Sequence, residues 1–190
     1  VGRPRLIARL DVELADGTKR SIVTDESWQV AEGPVRFNSV YLGEIYDARR
    51  EVIAENAWKK AALAEQPVGE LVSQHQSPIR IRSTVKPVAI TEPEPGVNIF
   101  DMGVNFAGNI ELRGEFPAGT KLVLRYGELL YPDGKLNPMT SVCGQIKGAA
   151  DPKADPTIPA PPAVVWQTDT YIARGSGIER WMPRFTFRGF

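Results

Sequence analysis

Apolar and polar residues alternate along several short stretches of the chain, which is the pattern of β-strands. The clearest stretch is residues 6–14, where Leu, Ala and Val occupy the even positions and charged residues occupy positions 9, 11 and 13. Asp16-Gly17 follows, a dipeptide typical of hairpin turns, and residues 20–24 can return as the second strand. The pattern predicts a half-buried hairpin near the start of the chain.

Further short strands are expected, separated by turns rich in Gly and Pro. They fall at residues 28–30, 78–82, 86–90, 98–100, 109–113, 121–130, 167–172 and 184–190. Only residues 55–65 carry helical propensity, and their apolar side chains do not form a helical face. Sixteen prolines and seventeen glycines also disfavour a helical fold. We therefore predict an all-β protein built of antiparallel β-sandwich modules, jelly-roll-like, with little helix.

The chain is expected to divide near Gln76-Ser77-Pro78. Residues 1–77 would form an N-terminal β module, and residues 78–190 a second β-sandwich domain with an irregular insertion at residues 143–163. Alternatively, the first strands belong to the same sandwich as the last. The aromatic pattern of residues 184–190 has no closing turn. We therefore expect the second domain to be truncated and the chain to be a piece of a larger protein.

Composition narrows the classes of partner and cofactor. Hydrophobic residues make up 42% of the chain and charged residues 24%, and the formal net charge is zero, so neither nucleic acid nor an anionic membrane is an expected partner. No apolar run approaches the ~20 residues of a membrane helix. One cysteine, Cys143, and one histidine, His75, cannot form a disulfide or a closed zinc site. We predict no metal and no cofactor, and interpret Cys143 as a partly buried thiol.

Two pairs of acidic residues near tyrosines could be imagined as the acid and base of a glycosidase. They are Glu44 with Asp47 and Glu128 with Asp133. An inverting glycosidase needs two carboxyl groups about 6.5–9.5 Å apart, one of them kept protonated. The commoner use of such residues is to accept hydrogen bonds from backbone amides at a corner. We favour the corner for Glu44 and Asp47 and predict no catalytic residue in this chain.

A second polar motif lies around Gly103, where Asp101 and Asn105 could supply oxygen ligands to calcium. The glutamate that ends an EF-hand loop is missing. A tight turn in which glycine takes a positive φ is the favoured interpretation.

Exposed aromatic side chains are the best candidates for contact with a sugar, because an aromatic face stacks on a pyranose ring. Most large aromatic residues of a sandwich lie in the core. Trp58 stands beside Lys59 and Lys60, and Trp166 follows the irregular insertion, so these two are the candidate carbohydrate-binding residues.

Several motifs, in this order, resemble the N-terminal half of bacterial α-L-rhamnosidases of glycoside hydrolase family 78. They are Asp25-x-Ser27-Trp28-x-Val30, Tyr41-x-Gly43-Glu44-x-Tyr46-Asp47-Ala48-Arg49, Asp101-x-Gly103-x-Asn105-x-Ala107-Gly108, Leu124-Arg125-Tyr126-Gly127-Glu128, Asp133-Gly134, Thr168-Asp169-Thr170-Tyr171 and residues 183–190. The resemblance covers almost the whole chain except residues 143–163. It implies a parent enzyme that removes terminal α-L-rhamnose with inversion, using an acid and a base in an (α/α)₆ barrel downstream of these modules.

The resemblance implies that this chain alone is inactive and supports the missing barrel of the same polypeptide, with rhamnose-containing glycans as a further expected contact. Arg125, Glu128 and the charged residues among 184–188 would then form ion pairs or hydrogen bonds across an interface with the barrel. Two other function classes stay open: an autonomous carbohydrate-binding module and a purely structural interaction domain. The compartment, bacterial cytoplasm or periplasm, is left open.

Overall fold

The structure is a computed structural model that describes residues 4–65, 69–141 and 167–190. Strands and three short 3₁₀ turns are the regular elements of these residues, and no α-helix lies among them. The strands are β1 Arg9–Glu13, β2 Lys19–Val23, β3 Gln29–Val30, β4 Val35–Ser39, β5 Gly43–Asp47, β6 Lys59–Lys60, β7 Ala89–Glu94, β8 Val97–Asp101, β9 Ala107–Gly108, β10 Leu112–Glu115, β11 Lys121–Arg125, β12 Thr168–Ile172, β13 Ile178–Trp181 and β14 Arg188–Gly189. The 3₁₀ turns are Ala48–Arg50, Glu55–Ala57 and Pro138–Ser141. The predicted all-β class with little helix is confirmed.

The chain folds into two compact units. Unit 1 comprises residues 1–32 and 53–80, and unit 2 comprises residues 33–52 and 81–190. The division of the chain after residue 77 stays a prediction.

In unit 1 the predicted hairpin is present. Strands β1 and β2 pair antiparallel with Leu10 opposite Ile22, and Gly17 takes a φ of 82° in the turn between them. Its apolar face is less covered than the alternation predicted, since Leu10 is 57% and Ile22 53% exposed. No described residue of unit 1 is buried. A two-stranded hairpin buries its apolar face only against another layer of structure.

The one stretch with helical propensity forms no α-helix. Residues Glu55–Ala57 make a 3₁₀ turn, and β6 then pairs antiparallel with β3, placing Val30 opposite Lys59. The amide of Ala61 donates to the carbonyl oxygen of Trp28 at 2.9 Å, which extends this pairing. Pairing with β3 therefore overrides the local preference for helix.

Unit 2 is organised around a four-stranded sheet of order β11-β12-β5-β4. Strand β5 pairs parallel with β12 and antiparallel with β4, while β11 and β12 are antiparallel. The described residues of the unit also form the pairs β7-β8, β10-β13 and β9-β14. Its buried apolar cluster consists of Ala48, Tyr171, Ala173 and Trp181. The Tyr46 ring stacks on Tyr171 at 6.0 Å between centroids, so the segment that contains β5 supplies part of this core.

Three predicted strands are shorter or absent in the structure, among them residues 121–130, where the strand ends at Arg125. Residues 78–82 form no strand. Within residues 184–190 only Arg188–Gly189 form a strand, and two backbone hydrogen bonds between Phe190 and Phe106, at 2.8 and 3.0 Å, extend its pairing. Pro78 cannot donate to a strand ladder, and Pro183 precedes residues 184–190. The predicted insertion at residues 143–163, with Cys143, lies outside the described residues. No helix among the described residues is long and apolar enough to cross a membrane.

Candidate functional site

A buried ion pair joins β12 to β14 in unit 2. Asp169 on β12 and Arg188 on β14 have side chains that are both 0% exposed, and Arg188 Nη2 lies 3.0 Å from Asp169 Oδ1. The Tyr126 hydroxyl donates to Asp169 Oδ2 at 2.7 Å. Burial, and then the neighbouring carboxylate of Asp169, raises the pKa of Tyr126, so its hydroxyl stays protonated and donates. The pair is therefore desolvated but well supplied with hydrogen-bond partners.

Arg188 also binds the backbone that leads into β5. Its Nη1 atom donates to the carbonyl oxygens of Val40 at 3.0 Å and Tyr41 at 3.4 Å. The guanidinium carbon also lies 5.5 Å from the centroid of the Tyr126 ring, within the range of a cation–π contact. Arg188 thus joins the last described strand to residues 40–41.

Glu44 forms a second buried anchor on β5. Its side-chain Oε2 accepts hydrogen bonds from the amides of Arg184 at 3.0 Å and Phe185 at 3.2 Å, and its own amide donates to Asp169 Oδ1 at 2.8 Å. The other carboxylate oxygen, Oε1, is buried and has no partner among the described residues. Glu44 therefore fixes the path of residues 184–185. It binds backbone amides as predicted, but those amides lie 140 and 141 residues along the chain and not at a local corner, so the corner interpretation of Glu44 is wrong in that respect.

A third buried acid, Glu179 on β13, holds the turn after β12. It accepts hydrogen bonds from the Tyr171 hydroxyl at 2.6 Å and from the amides of Arg174 and Gly175, both at 2.8 Å. Burial raises the pKa of Glu179, but these hydrogen bonds outweigh it and hold the pKa below its ordinary value. Burial, followed by the hydrogen bond to Glu179, raises the pKa of Tyr171.

The turn interpretations of Asp47 and Asp101 are confirmed. Asp47 Oδ1 accepts from the Arg49 amide at 3.2 Å and from Arg49 Nε at 2.8 Å, and these bonds hold the pKa of Asp47 below its ordinary value. Asp101 Oδ1 accepts from the Gly103 amide at 2.7 Å, and Gly103 has a φ of 73°. No group of three or more His, Cys, Asp or Glu side chains in the described residues is arranged to hold a metal ion.

This arrangement suits structural anchoring better than hydrolysis. A general acid needs a raised carboxyl pKa and access to the glycosidic oxygen. Glu44 and Asp169 are 0% exposed, so no sugar reaches them, and the pKa values of Asp47 and Glu179 are lowered. These buried and half-buried acids hold backbone and side-chain groups of their own chain.

The structure describes one of the two candidate sugar-binding residues. Trp58 is 43% exposed and lies directly before β6 in unit 1, so part of its ring is open to solvent. Trp166 lies outside the described residues. Sugar contact by either residue stays a prediction.

Asp169 and Arg188 both belong to the sequence motifs, but no local pattern predicts that they pair. The charged residues among 184–188 were expected to face a barrel, yet Arg188 points inward to Asp169. Successive side chains of an extended segment point to opposite sides, so Thr186 and Arg188 are buried while Phe185 and Phe187 are exposed. A charged residue at an inward position of an aromatic strand is the signal that would have predicted a buried partner.

Comparison with protein families identifies both parts of the chain. Residues 1–83 match the α-L-rhamnosidase N-terminal domain, and residues 91–190 match the bacterial α-L-rhamnosidase concanavalin-like domain. The two matches together cover most of the sequence, in the order that the motifs predicted.

Individual relatives and solved structures agree. An α-L-rhamnosidase of Streptomyces avermitilis is 37% identical over 99% of this chain, and one of Formosa agariphila is 30% identical over 98%. The α-L-rhamnosidase structure from Dictyoglumus thermophilum has a TM-score of 0.80 at 36% identity and covers 97% of this chain. That of the Streptomyces avermitilis enzyme complexed with L-rhamnose has a TM-score of 0.79 at 34% identity, over 97% of this chain. The predicted β-sandwich class is thereby confirmed.

The matched regions are a small part of these relatives. This chain covers 17% of the Streptomyces relative and 19% of the Formosa relative. It covers 19% and 17%, respectively, of the two solved chains.

Proposed function

Because the chain belongs to the bacterial α-L-rhamnosidase family, we propose that it is a non-catalytic β-sandwich part of an enzyme that hydrolyses terminal α-L-rhamnosides with inversion. In this proposal its 190 residues support the catalytic (α/α)₆ barrel of the same polypeptide. The small share of each relative that the chain covers leaves room for such a barrel.

The observation that carries the proposal is the use of the buried acids. Glu44 and Glu179 are occupied by backbone amides, and Asp169 is occupied by Arg188 and Tyr126. Because these three acids are buried against donors of their own chain, none of them is open to the glycosidic oxygen that a general acid must protonate. These residues give the unit a fixed shape instead of a reaction centre.

Exposed aromatic residues beside these anchors are suited to carry the support function. Phe185 is 50% and Phe187 57% exposed, and both lie on the outward side of the segment whose inward residues bind Asp169. Because Glu44 holds the amides of residues 184 and 185, the two rings stand on a rigid backbone. A rigid apolar face is what packing against a second domain requires.

An activity comparison tests the proposal. The 190-residue chain and a longer polypeptide that carries the same residues followed by an α-L-rhamnosidase catalytic domain are assayed on an aryl α-L-rhamnoside. We expect turnover by the longer polypeptide only. Turnover by the 190-residue chain at a comparable rate would contradict the proposal, and Glu44→Gln and Asp47→Asn would then be the first variants to assay.

Carbohydrate contact through Trp58 and Trp166 is a second, separate proposal. The partial exposure of the Trp58 ring supports it, since an indole face can stack on a sugar. Titration of the chain with L-rhamnose, followed by NMR, should shift the indole resonance of Trp58 and lose the binding in Trp58→Ala but retain part of it in Trp58→Phe. Trp28→Phe is the matched control, because the Trp28 indole already donates to the Val23 carbonyl oxygen at 2.9 Å. Unchanged binding in Trp58→Ala would exclude Trp58 as the platform.

A further inference from the structure

The boundaries of the matched domains and the boundaries of the folded units disagree. The concanavalin-like match begins at residue 91, whereas unit 2 also contains residues 33–52. Those twenty residues fall within the match to the N-terminal domain, residues 1–83. They carry β4 and β5, which make up two of the four strands in the main sheet of unit 2.

Strand β5 occupies an interior position of that sheet. Ile45, Tyr46 and Asp47 stand opposite residues 170, 171 and 172 of β12 in a parallel ladder, and β4 covers the other edge of β5. The Thr168 amide adds a hydrogen bond to the Leu42 carbonyl oxygen at 2.9 Å. Without residues 33–52 the backbone edge of β12 would be open, and an open edge accepts a strand.

Polar groups of unit 2 also depend on this segment. Arg188 would lose the carbonyl oxygens of Val40 and Tyr41, and Asp169 would lose the amide of Glu44. The amides of Arg184 and Phe185 would lose their acceptor on Glu44. Buried charges and amides left without partners are strongly destabilising.

Apolar contacts also tie residues 33–52 to the rest of unit 2. Ala48 is 1% exposed within the core cluster, and the Tyr46 ring packs on both Tyr171 and Trp181. A Cβ atom added at Gly43 would lie 1.9 Å from the Thr168 carbonyl oxygen, so the backbones at Gly43 and Thr168 approach each other closely. The space beside β12 therefore fits residues 33–52.

We propose that residues 33–52 are a donated pair of strands, so that the concanavalin-like domain is complete only when the N-terminal part of the chain supplies them. The occupant of the β12 edge is therefore this segment itself, and the two parts of the chain are joined by strand insertion as well as by the peptide link. The family match at residues 91–190 does not mark an independent folding unit.

Cutting the intact chain tests this. A protease site is inserted between Ser77 and Pro78, which lie in an exposed stretch without regular structure, and the folded protein is cleaved there. We expect the two pieces to elute together in size-exclusion chromatography under native conditions and to separate only in denaturant. Separation without denaturant, leaving a folded piece of residues 78–190, would overturn the proposal.

A peptide competition identifies the strand as the cause of any association. The nicked protein is incubated in subdenaturing urea with excess synthetic peptide of residues 33–52. We expect the peptide to displace the N-terminal piece, and the same peptide with Glu44→Ala to need at least about tenfold higher concentration, because two hydrogen bonds to a carboxylate are lost. A peptide with Val52→Ala, at a residue that is 84% exposed, is the matched control and should compete like the unchanged peptide. Equal competition by the Glu44→Ala peptide, or association that no peptide disturbs, would contradict strand donation.

Discussion

Replacing Arg188 with methionine is the sharpest single perturbation of unit 2. Methionine keeps much of the length of the side chain but removes the guanidinium group. Asp169 then keeps a buried negative charge with only the Tyr126 hydroxyl, the Thr186 hydroxyl and the Glu44 amide as partners. The carbonyl oxygens of residues 40 and 41 also lose a donor.

The expected loss of unfolding free energy in Arg188→Met follows from the burial of both Arg188 and Asp169. Removing one member of a fully buried ion pair costs about 3–5 kcal/mol, because the remaining charge is left without compensation. The matched control is Arg180→Met, which breaks the ion pair of Arg180 with Glu111 on the surface, where the Arg180 side chain is 71% exposed. A surface pair of that kind contributes about 0–1 kcal/mol.

Urea unfolding measures both variants, with Trp181 as the reporter of unit 2. Trp181 is 6% exposed in the core cluster, and replacing Trp28, Trp58 and Trp166 with phenylalanine leaves it as the only indole. The midpoint should fall far more in Arg188→Met than in Arg180→Met, with similar m-values. If Arg188→Met does not fold, Arg188→Lys should fold with an intermediate loss, because an ammonium group keeps the charge but not the planar fork.

A double-mutant cycle with Asp169→Asn completes the test. Neutralising both partners should cost less than the sum of the two single changes, because the uncompensated charge disappears. Equal, small losses in Arg188→Met and Arg180→Met would refute the reasoning that the buried pair organises unit 2.

Three further predictions concern a close backbone contact and two titrating groups. Gly43→Ala should destabilise unit 2 more than Gly134→Ala in urea unfolding, because both glycines have positive φ but only at Gly43 would the new Cβ meet the Thr168 carbonyl oxygen; equal losses would show that φ alone matters. The pKa of Glu179 is lower in the folded protein than its ordinary value of 4.5. Ionised Glu179 therefore stabilises the folded protein fully at a pH above 4.5, and this stabilisation is lost as the pH falls through the folded pKa. The difference in unfolding free energy between wild type and Glu179→Gln should therefore shrink on acidification, and a constant difference would contradict this. Burial, and then the hydrogen bond to Glu51, raises the pKa of Tyr46 to about 12. The difference between the ultraviolet titration curves of wild type and Tyr46→Phe should therefore show a tyrosine that ionises near that pH. A midpoint near 10.0 would contradict this prediction.

Local signals predicted the hairpins and turns, because the information lies within a few residues. The Asp16-Gly17 hairpin and the Asp101–Gly103 turn follow from backbone preferences of glycine and from acceptors two residues away. Glu44 binds backbone amides, as predicted, but not at a local corner. Its partners, at residues 184 and 185, could not be read from any local pattern.

The periodicity of the sequence could not predict which distant strands pair. Alternation marks β12 as a strand but does not select β5 as its parallel neighbour, more than a hundred residues earlier in the chain. Strand pairing between distant segments depends on the complementarity of whole edges, including the Arg188 contacts to residues 40 and 41. The helical propensity of residues 55–65 was likewise outweighed by pairing with β3.

The support function itself is tested most directly in the longer polypeptide, by comparing heat inactivation with catalysis. Arg188→Met is introduced into an α-L-rhamnosidase that carries this sequence, and both kcat/KM on an aryl α-L-rhamnoside and the temperature of half-inactivation are measured. A residue that only supports the barrel should leave kcat/KM within about twofold at low temperature, since it makes no contact in the transition state, while the inactivation temperature falls by several degrees. A large loss of kcat/KM at low temperature, with unchanged heat resistance, would contradict the account and place these residues in the chemistry.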